Sequence, residues 1–172
     1  MITSRYIWKV TFVGKSDAGK SSIIARLVFD SDAGNFMGKG LLKKKIGVTL
    51  GETKSHAELM INEVDGYPAD VKSISGSAAV LIVVDVTKRF DQQEITKFLK
   101  GMNDKTEVAL VANKIDRKYE AQTWVEELEP FAKKNNIGLY MVSSKSSDSV
   151  NGMMQKIANN LLVRVNGKQK TI

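Results

Sequence analysis

The eight residues GKSDAGKS, Gly14 to Ser21, constrain this chain more than any other stretch. They follow Tyr6 to Val13 (YIWKVTFV), whose β-branched and aromatic residues predict a strand that enters a turn at glycine. They precede Ser21 to Phe29, where Ile23, Ile24, Leu27 and Val28 recur at helical spacing. At a strand-to-helix junction the pattern G-x-x-x-x-G-K-S has a mechanical reason at each fixed position. Gly14 and Gly19 let the main chain curl so that successive N–H groups point inward, and Lys20 supplies positive charge to a chain of phosphates. Ser21 offers a hydroxyl to magnesium, and the helix N-terminus adds partial positive charge.

Beyond this junction, Asp30 to Gly40 (DSDAGNFMGKG) is too polar and glycine-rich for regular structure and predicts a mobile loop. Strands are predicted at Ala57 to Val64, Val80 to Val86, Val108 to Ala112 and Gly138 to Val142, and helices at Gln92 to Met102, Trp124 to Lys134 and Val150 to Leu162. This alternation implies βαβ units and a mainly parallel sheet covered on both faces. No internal repeat or linker interrupts the 172 residues, so one domain over 1–172 is expected, with a flexible basic tail from about 165 to 172. The absence of cysteine rules out disulfide and thiol chemistry and suits a cytoplasmic location. The longest apolar run, Ala78 to Val84, is too short to span a bilayer, and neither end offers a lipidation site, so no stable membrane anchor is expected.

A phosphate loop does not say which base it serves. Asn113-Lys114-Ile115-Asp116 follows directly from the apolar run VALVA, at a strand's carboxyl end, where open α/β sheets bind ligands. A carboxylate at Asp116 can accept hydrogen bonds from the N1–H and exocyclic amine of guanine, whereas adenine presents an acceptor at N1. That favours GTP over ATP. Further on, Ser143-Ser144-Lys145 closes another strand, and the Ser144 N–H is placed to reach the guanine carbonyl.

The order GKSDAGKS, Gly47-Val48-Thr49, EVDG, NKID and SSK resembles the G domain of the P-loop GTPases over nearly the whole chain. Within that superfamily DAGKSSIIARLVFDS, GVTL and GYPADVKSISGSAAVLIVVD look more like the translation-factor branch, with elongation factor Tu, than like Ras or Rab. No counterpart of the β-barrel domains of those factors is expected within these 172 residues. The resemblance implies a three-layer α/β/α P-loop NTPase G domain with a mainly parallel six-stranded sheet. It implies that Asp17, Ala18, Gly19, Lys20, Ser21 and Ser22 surround the phosphates of GTP or GDP. Asn113, Lys114, Asp116, Ser143, Ser144 and Lys145 would hold guanine, Ser21 and Thr49 would ligate Mg²⁺, and the loop before Thr49 would be the first switch.

The family's second switch, D-x-x-G, aligns with Glu63-Val64-Asp65-Gly66. Glu63 would then order Mg²⁺ through water, the Gly66 N–H would meet the terminal phosphate, and Tyr67 would stand where a glutamine or histidine orients the attacking water. A phenol lacks the carboxamide's paired donor and acceptor, so slow intrinsic hydrolysis is expected, with Lys20, Thr49, Gly66 and Tyr67 as the catalytic set. The alternative makes Asp65-Gly66 a type I′ hairpin turn, which moves the switch to Ser73-Ile74-Ser75-Gly76. Three functional classes stay open: a GTPase switch with effector, activating and exchange partners, a pseudo-GTPase binding module, and a P-loop ATPase or kinase.

A net charge of +7 admits RNA or the ribosome as partner, yet acids are interspersed with the lysines, which favours a solvated surface. Lys43-Lys44-Lys45 and His56 read as surface residues, and Met153, Met154 and Ile157 as core. Trp8 and Trp124 are expected to pack in the sheet and against a helix.

Overall fold

The computed structural model describes residues 5–30 and 41–169. The loop expected over Asp30 to Gly40 therefore lies, but for its first residue, outside the described residues. Six strands form one sheet: β1 (Arg5–Gly14), β2 (Leu42–Leu50), β3 (Thr53–Asp65), β4 (Ser77–Asp85), β5 (Glu107–Asn113) and β6 (Gly138–Met141), in the order β2-β3-β1-β4-β5-β6. Only β2 runs antiparallel to its neighbour. Helices α1 (Lys20–Phe29) and α4 (Ser147–Gln169) cover one face, and α2 (Gln92–Leu99) and α3 (Val125–Lys134) the other. The expected three-layer α/β domain with a mainly parallel six-stranded sheet is what the chain adopts.

The alternation of side chains along each strand divides the core in two. Ala79, Leu81 and Val83 of β4 pack beneath α1 and α4 with Val10, Phe12, Ile23, Met154 and Ile157. Val80, Ile82 and Val84 of the same strand pack with Ile95, Phe98, Leu128 and Phe131 of α2 and α3. A strand covered on both faces needs a continuous apolar run, and VLIVVDV supplies it.

Three expectations change, and one alternative falls away. β2 was not foreseen, because Lys43, Lys44 and Lys45 interrupt the period-two pattern of Leu42, Ile46 and Val48. It is an edge strand, where such lysines discourage pairing with foreign strands, and Gln155 of α4 donates to the Gly47 carbonyl on it at 2.7 Å. Asp65-Gly66 is not a hairpin turn. β3 and β4 flank β1 on opposite sides, both parallel to it, so no tight turn can join them. The hairpin of this sheet lies instead between Leu50 and Thr53. The expected basic tail is also helical in its backbone as far as Gln169, because α4 continues past Leu162. Finally, Trp8 is buried as expected, but Trp124 precedes α3 as its N-cap residue and stands 52% exposed.

Candidate functional site: a phosphate loop tied to a base-selecting loop

Parallel strands deliver their carboxyl ends to one edge, so Gly14, Asp65, Asp85, Asn113 and Met141 all lie there. The loop from Gly14 to Lys20 runs along this edge. At Gly14 (φ +144°) an added Cβ would stand 2.5 Å from the Val83 carbonyl oxygen on β4, so any side chain would collide with main chain. At Gly19 (φ +96°) it would stand 2.3 Å from Asn113 Nδ2. α1 then begins at Lys20 with no side-chain cap, which leaves its first-turn N–H groups facing the loop as an anion site.

Lys20 is 1% exposed and donates from Nζ to the carbonyls of Gly14 and Lys15, both at 2.7 Å. Asp65 Oδ1 lies 3.1 Å from the same nitrogen. Ser21 Oγ donates to Glu63 Oε1 at 2.7 Å, so the end of β3 sets one carboxylate on the hydroxyl and another on the ammonium. Gly66 closes the arrangement, its N–H donating to Gly14 O at 2.6 Å and its carbonyl accepting from Gly14 N at 3.2 Å. Ser22 follows Ser21 in α1 and is half-buried.

Asn113 is fully buried and donates from Nδ2 to the Ala18 carbonyl at 3.0 Å, while its Oδ1 has no hydrogen-bond partner among the described residues. Lys114 adopts a left-handed conformation (φ +68°) and reaches across to the Asp17 carbonyl at 3.2 Å and to Asp85 Oδ2 at 2.7 Å. Asp17 itself is ion-paired with Lys88. Asp116 Oδ1 accepts from Ser143 Oγ at 2.8 Å, and Oδ2 lies 3.5 Å from Lys145 Nζ. Burial pushes the Asp116 carboxyl up, but the Ser143 hydroxyl, its own backbone amide and Lys145 outweigh that and hold it below the usual carboxylate range. Ser143 therefore braces Asp116. Ser144 is fixed through its carbonyl, which accepts from Arg26 Nε at 2.8 Å.

One expected residue, Thr49, is placed elsewhere. Thr49 pairs with Lys54 at the start of β3, and Lys54 to Asp65 spans roughly 35 Å of strand, so it sits at the opposite end of the sheet from Ser21. It is not brought to the magnesium position. GVT fitted a motif but occupies strand, with Val48 buried and Thr49 exposed. Tyr67 is half-buried, its ring 5.8 Å from that of Phe98 on α2, and it lines a small pocket with Lys15, Asp17 and Ala18 of the phosphate loop. Burial, with Glu94 and Asp91 nearby, pushes its phenol up to about 12. The other register for the second switch also fails. Val71–Ile74 forms a short 3₁₀ turn leading to Ser77, which pairs with Lys9 in the middle of β1, five residues before Gly14.

Asp85 is the residue that motif reading passed over. It was detectable as the lone charge in the buried run VLIVVDV. Burial alone raises its carboxyl, but Lys114 and the hydroxyl and amide of Thr87 outweigh this and hold it below the usual range. Its folded-state value being depressed, the stability it contributes is complete above the ordinary aspartate value near pH 4 and is lost as pH falls through the folded value. Asp85→Asn should lower the melting temperature by about 4–8 °C near neutrality, from about 2 kcal/mol for a partly buried Lys114 left unpaired. In thermal melts across pH, the gap to the parent protein should close below pH 4.

A family model described as the Ras family matches residues 9–163. The chain belongs to the Ras family. It is thus a P-loop GTP-binding switch protein by family, and the expected likeness to the elongation factor Tu branch is corrected. The translation-factor match rested partly on ADVKSISG, which forms the turn before β4 away from the loop. Family membership brings the usual effector and regulator partners but lends nothing to RNA or the ribosome. Among the described residues no helix is long and apolar enough to cross a membrane.

Proposed function

We propose that this Ras-family chain binds GTP and GDP with Mg²⁺ and hydrolyses GTP slowly until a partner accelerates it. The observation that carries this reading is the hydrogen bond from Asn113 to the Ala18 carbonyl, which fastens the base-selecting loop to the phosphate loop. One ligand must therefore satisfy both, and a purine nucleotide has the two required ends. The buried, unpartnered Asn113 Oδ1 is an acceptor awaiting a donor at the same place.

For magnesium, the Ser21 hydroxyl and the Glu63 carboxylate form a pair of hard oxygen donors at the first turn of α1, which suits a cation that otherwise keeps waters and phosphate oxygens. When bound there, Mg²⁺ would neutralise phosphate charge. Lys20 and the first-turn amides of α1 would hold the phosphates, Asp116 would read guanine, and Lys114 and Asn113 would fix the base against the loop. Slow turnover follows from what the chain does not offer. Tyr67 packs against Phe98 and carries a phenol in place of a carboxamide, Thr49 is remote, and no threonine occurs between Asp30 and Leu41.

Multiple-turnover GTPase assays on the purified protein test this. Slow release of phosphate with stable GTP and GDP binding is expected, and Tyr67→Phe should leave the rate within about twofold, since a phenol outside the chemistry contributes nothing to the barrier. An unaided rate comparable to partner-stimulated relatives would refute slow hydrolysis. No turnover at all, with binding intact, would favour the pseudo-GTPase.

A further inference from the structure

The Lys20 ammonium has three N–H groups. Two go to the Gly14 and Lys15 carbonyls, both main-chain parts of the loop, and the remaining charge is met by Asp65. The Gly14 carbonyl is held further by the Gly66 N–H. Asp65 differs in kind from these partners: its side chain is 73% exposed, against 1% for Lys20, so it can swing away without disturbing the core. A phosphate oxygen that claims Lys20 therefore displaces Asp65 and not a carbonyl.

We propose that Asp65 is a specificity-determining residue, a tethered anion that competes with the terminal phosphate of GTP for Lys20 and so weights the protein toward GDP. The inference rests on the guanine-nucleotide reading above. β3 fixes the competitor's position. Successive residues alternate sides, so Glu63 and Asp65 emerge together toward α1, one on Ser21 and the other on Lys20. The main-chain pairing of Gly66 with Gly14 then keeps the Asp65 backbone beside the loop. A diphosphate leaves room for the carboxylate as a counter-ion. A triphosphate brings further negative charge to the same cation and must expel the carboxylate, which like-charge repulsion makes unfavourable. The bond from Gly66 N–H to Gly14 O must open as well if that amide is to meet the terminal phosphate.

The test compares dissociation constants for fluorescent mant-GDP and for the non-hydrolysable mant-GppNHp, each with Mg²⁺, in the parent protein and in Asp65→Asn and Asp65→Ala. The expected result is that both variants tighten the triphosphate analogue by about fivefold or more while the diphosphate changes less than about twofold, the gain shrinking at high salt. A triphosphate-to-diphosphate ratio that is unchanged or lower in both variants overturns the inference while leaving the guanine-nucleotide reading intact. Absence of binding of either nucleotide to the parent protein overturns that reading and this inference together. Asp65 is exposed, so both variants are expected to fold, and circular dichroism melts alongside the titrations establish this.

Discussion

Asp116→Asn should weaken GTP and GDP binding by about two orders of magnitude and bring xanthosine nucleotides up to comparable affinity. On the guanine-nucleotide reading proposed above, the Asp116 carboxylate, held by Ser143 and Lys145, would accept from the two donors of a guanine edge. The carboxamide keeps one acceptor and turns a donor toward the other position. Two charge-assisted hydrogen bonds at about 1.5 kcal/mol or more each set the magnitude. Xanthine carries a carbonyl where guanine carries its amine, so the new donor meets an acceptor. Titration of the variant with GDP and xanthosine diphosphate, monitored by calorimetry, checks this. Unchanged GDP affinity would remove Asp116 from base recognition. Because the Asp116 side chain lies at the surface, the substitution should cost little stability, and melting temperatures should separate lost recognition from lost fold.

Gly19→Ala should cost the protein both its ligand and part of its stability. The residue holds φ +96°, where an L side chain is strained by about 1–3 kcal/mol. Its Cβ would also stand 2.3 Å from Asn113 Nδ2. That amide cannot simply swing aside, since Asn113 is fully buried and tied to the Ala18 carbonyl. Either the loop opens or the base-selecting loop moves, and each breaks the link between the two halves of the site. A melting temperature lower by about 4–8 °C is expected from about 2 kcal/mol, together with a fall in GDP affinity of about 100-fold or more. Thermal melts and mant-GDP titrations measure the two effects. A variant that melts and binds as the parent does would mean that the contact between the loops is not needed.

Much of the site could be read along the chain because its parts are local. Gly14 to Ser21 lie within a few residues of one another, and the chemistry of phosphate binding belongs to main-chain amides that a fixed glycine spacing shapes. NKID and SSK each follow an apolar run, so their place at the carboxyl edge came with the strands. Failures occurred where a residue's role depended on register. GVT looked like a switch motif, but which end of the sheet it reaches is set by the pairing of β2 with β3, and three lysines hid that strand. The alternative that makes Asp65-Gly66 a hairpin turn is the less favoured one along the chain, and the position of β1 between β3 and β4 rules it out. Tyr67 follows glycine in the chain, and only the fold sets its ring against Phe98 of α2.

The sequence alone thus determined the layer architecture, the phosphate loop and the place of NKID and SSK at strand ends, because hydrophobic period and glycine spacing act over short distances. Tertiary structure alone decided which carboxylates face which cations. Asp85 meets Lys114 and Asp65 meets Lys20 across strand ends that are far apart in the chain. Such encounters depend on strand order and register, which neighbouring residues do not encode.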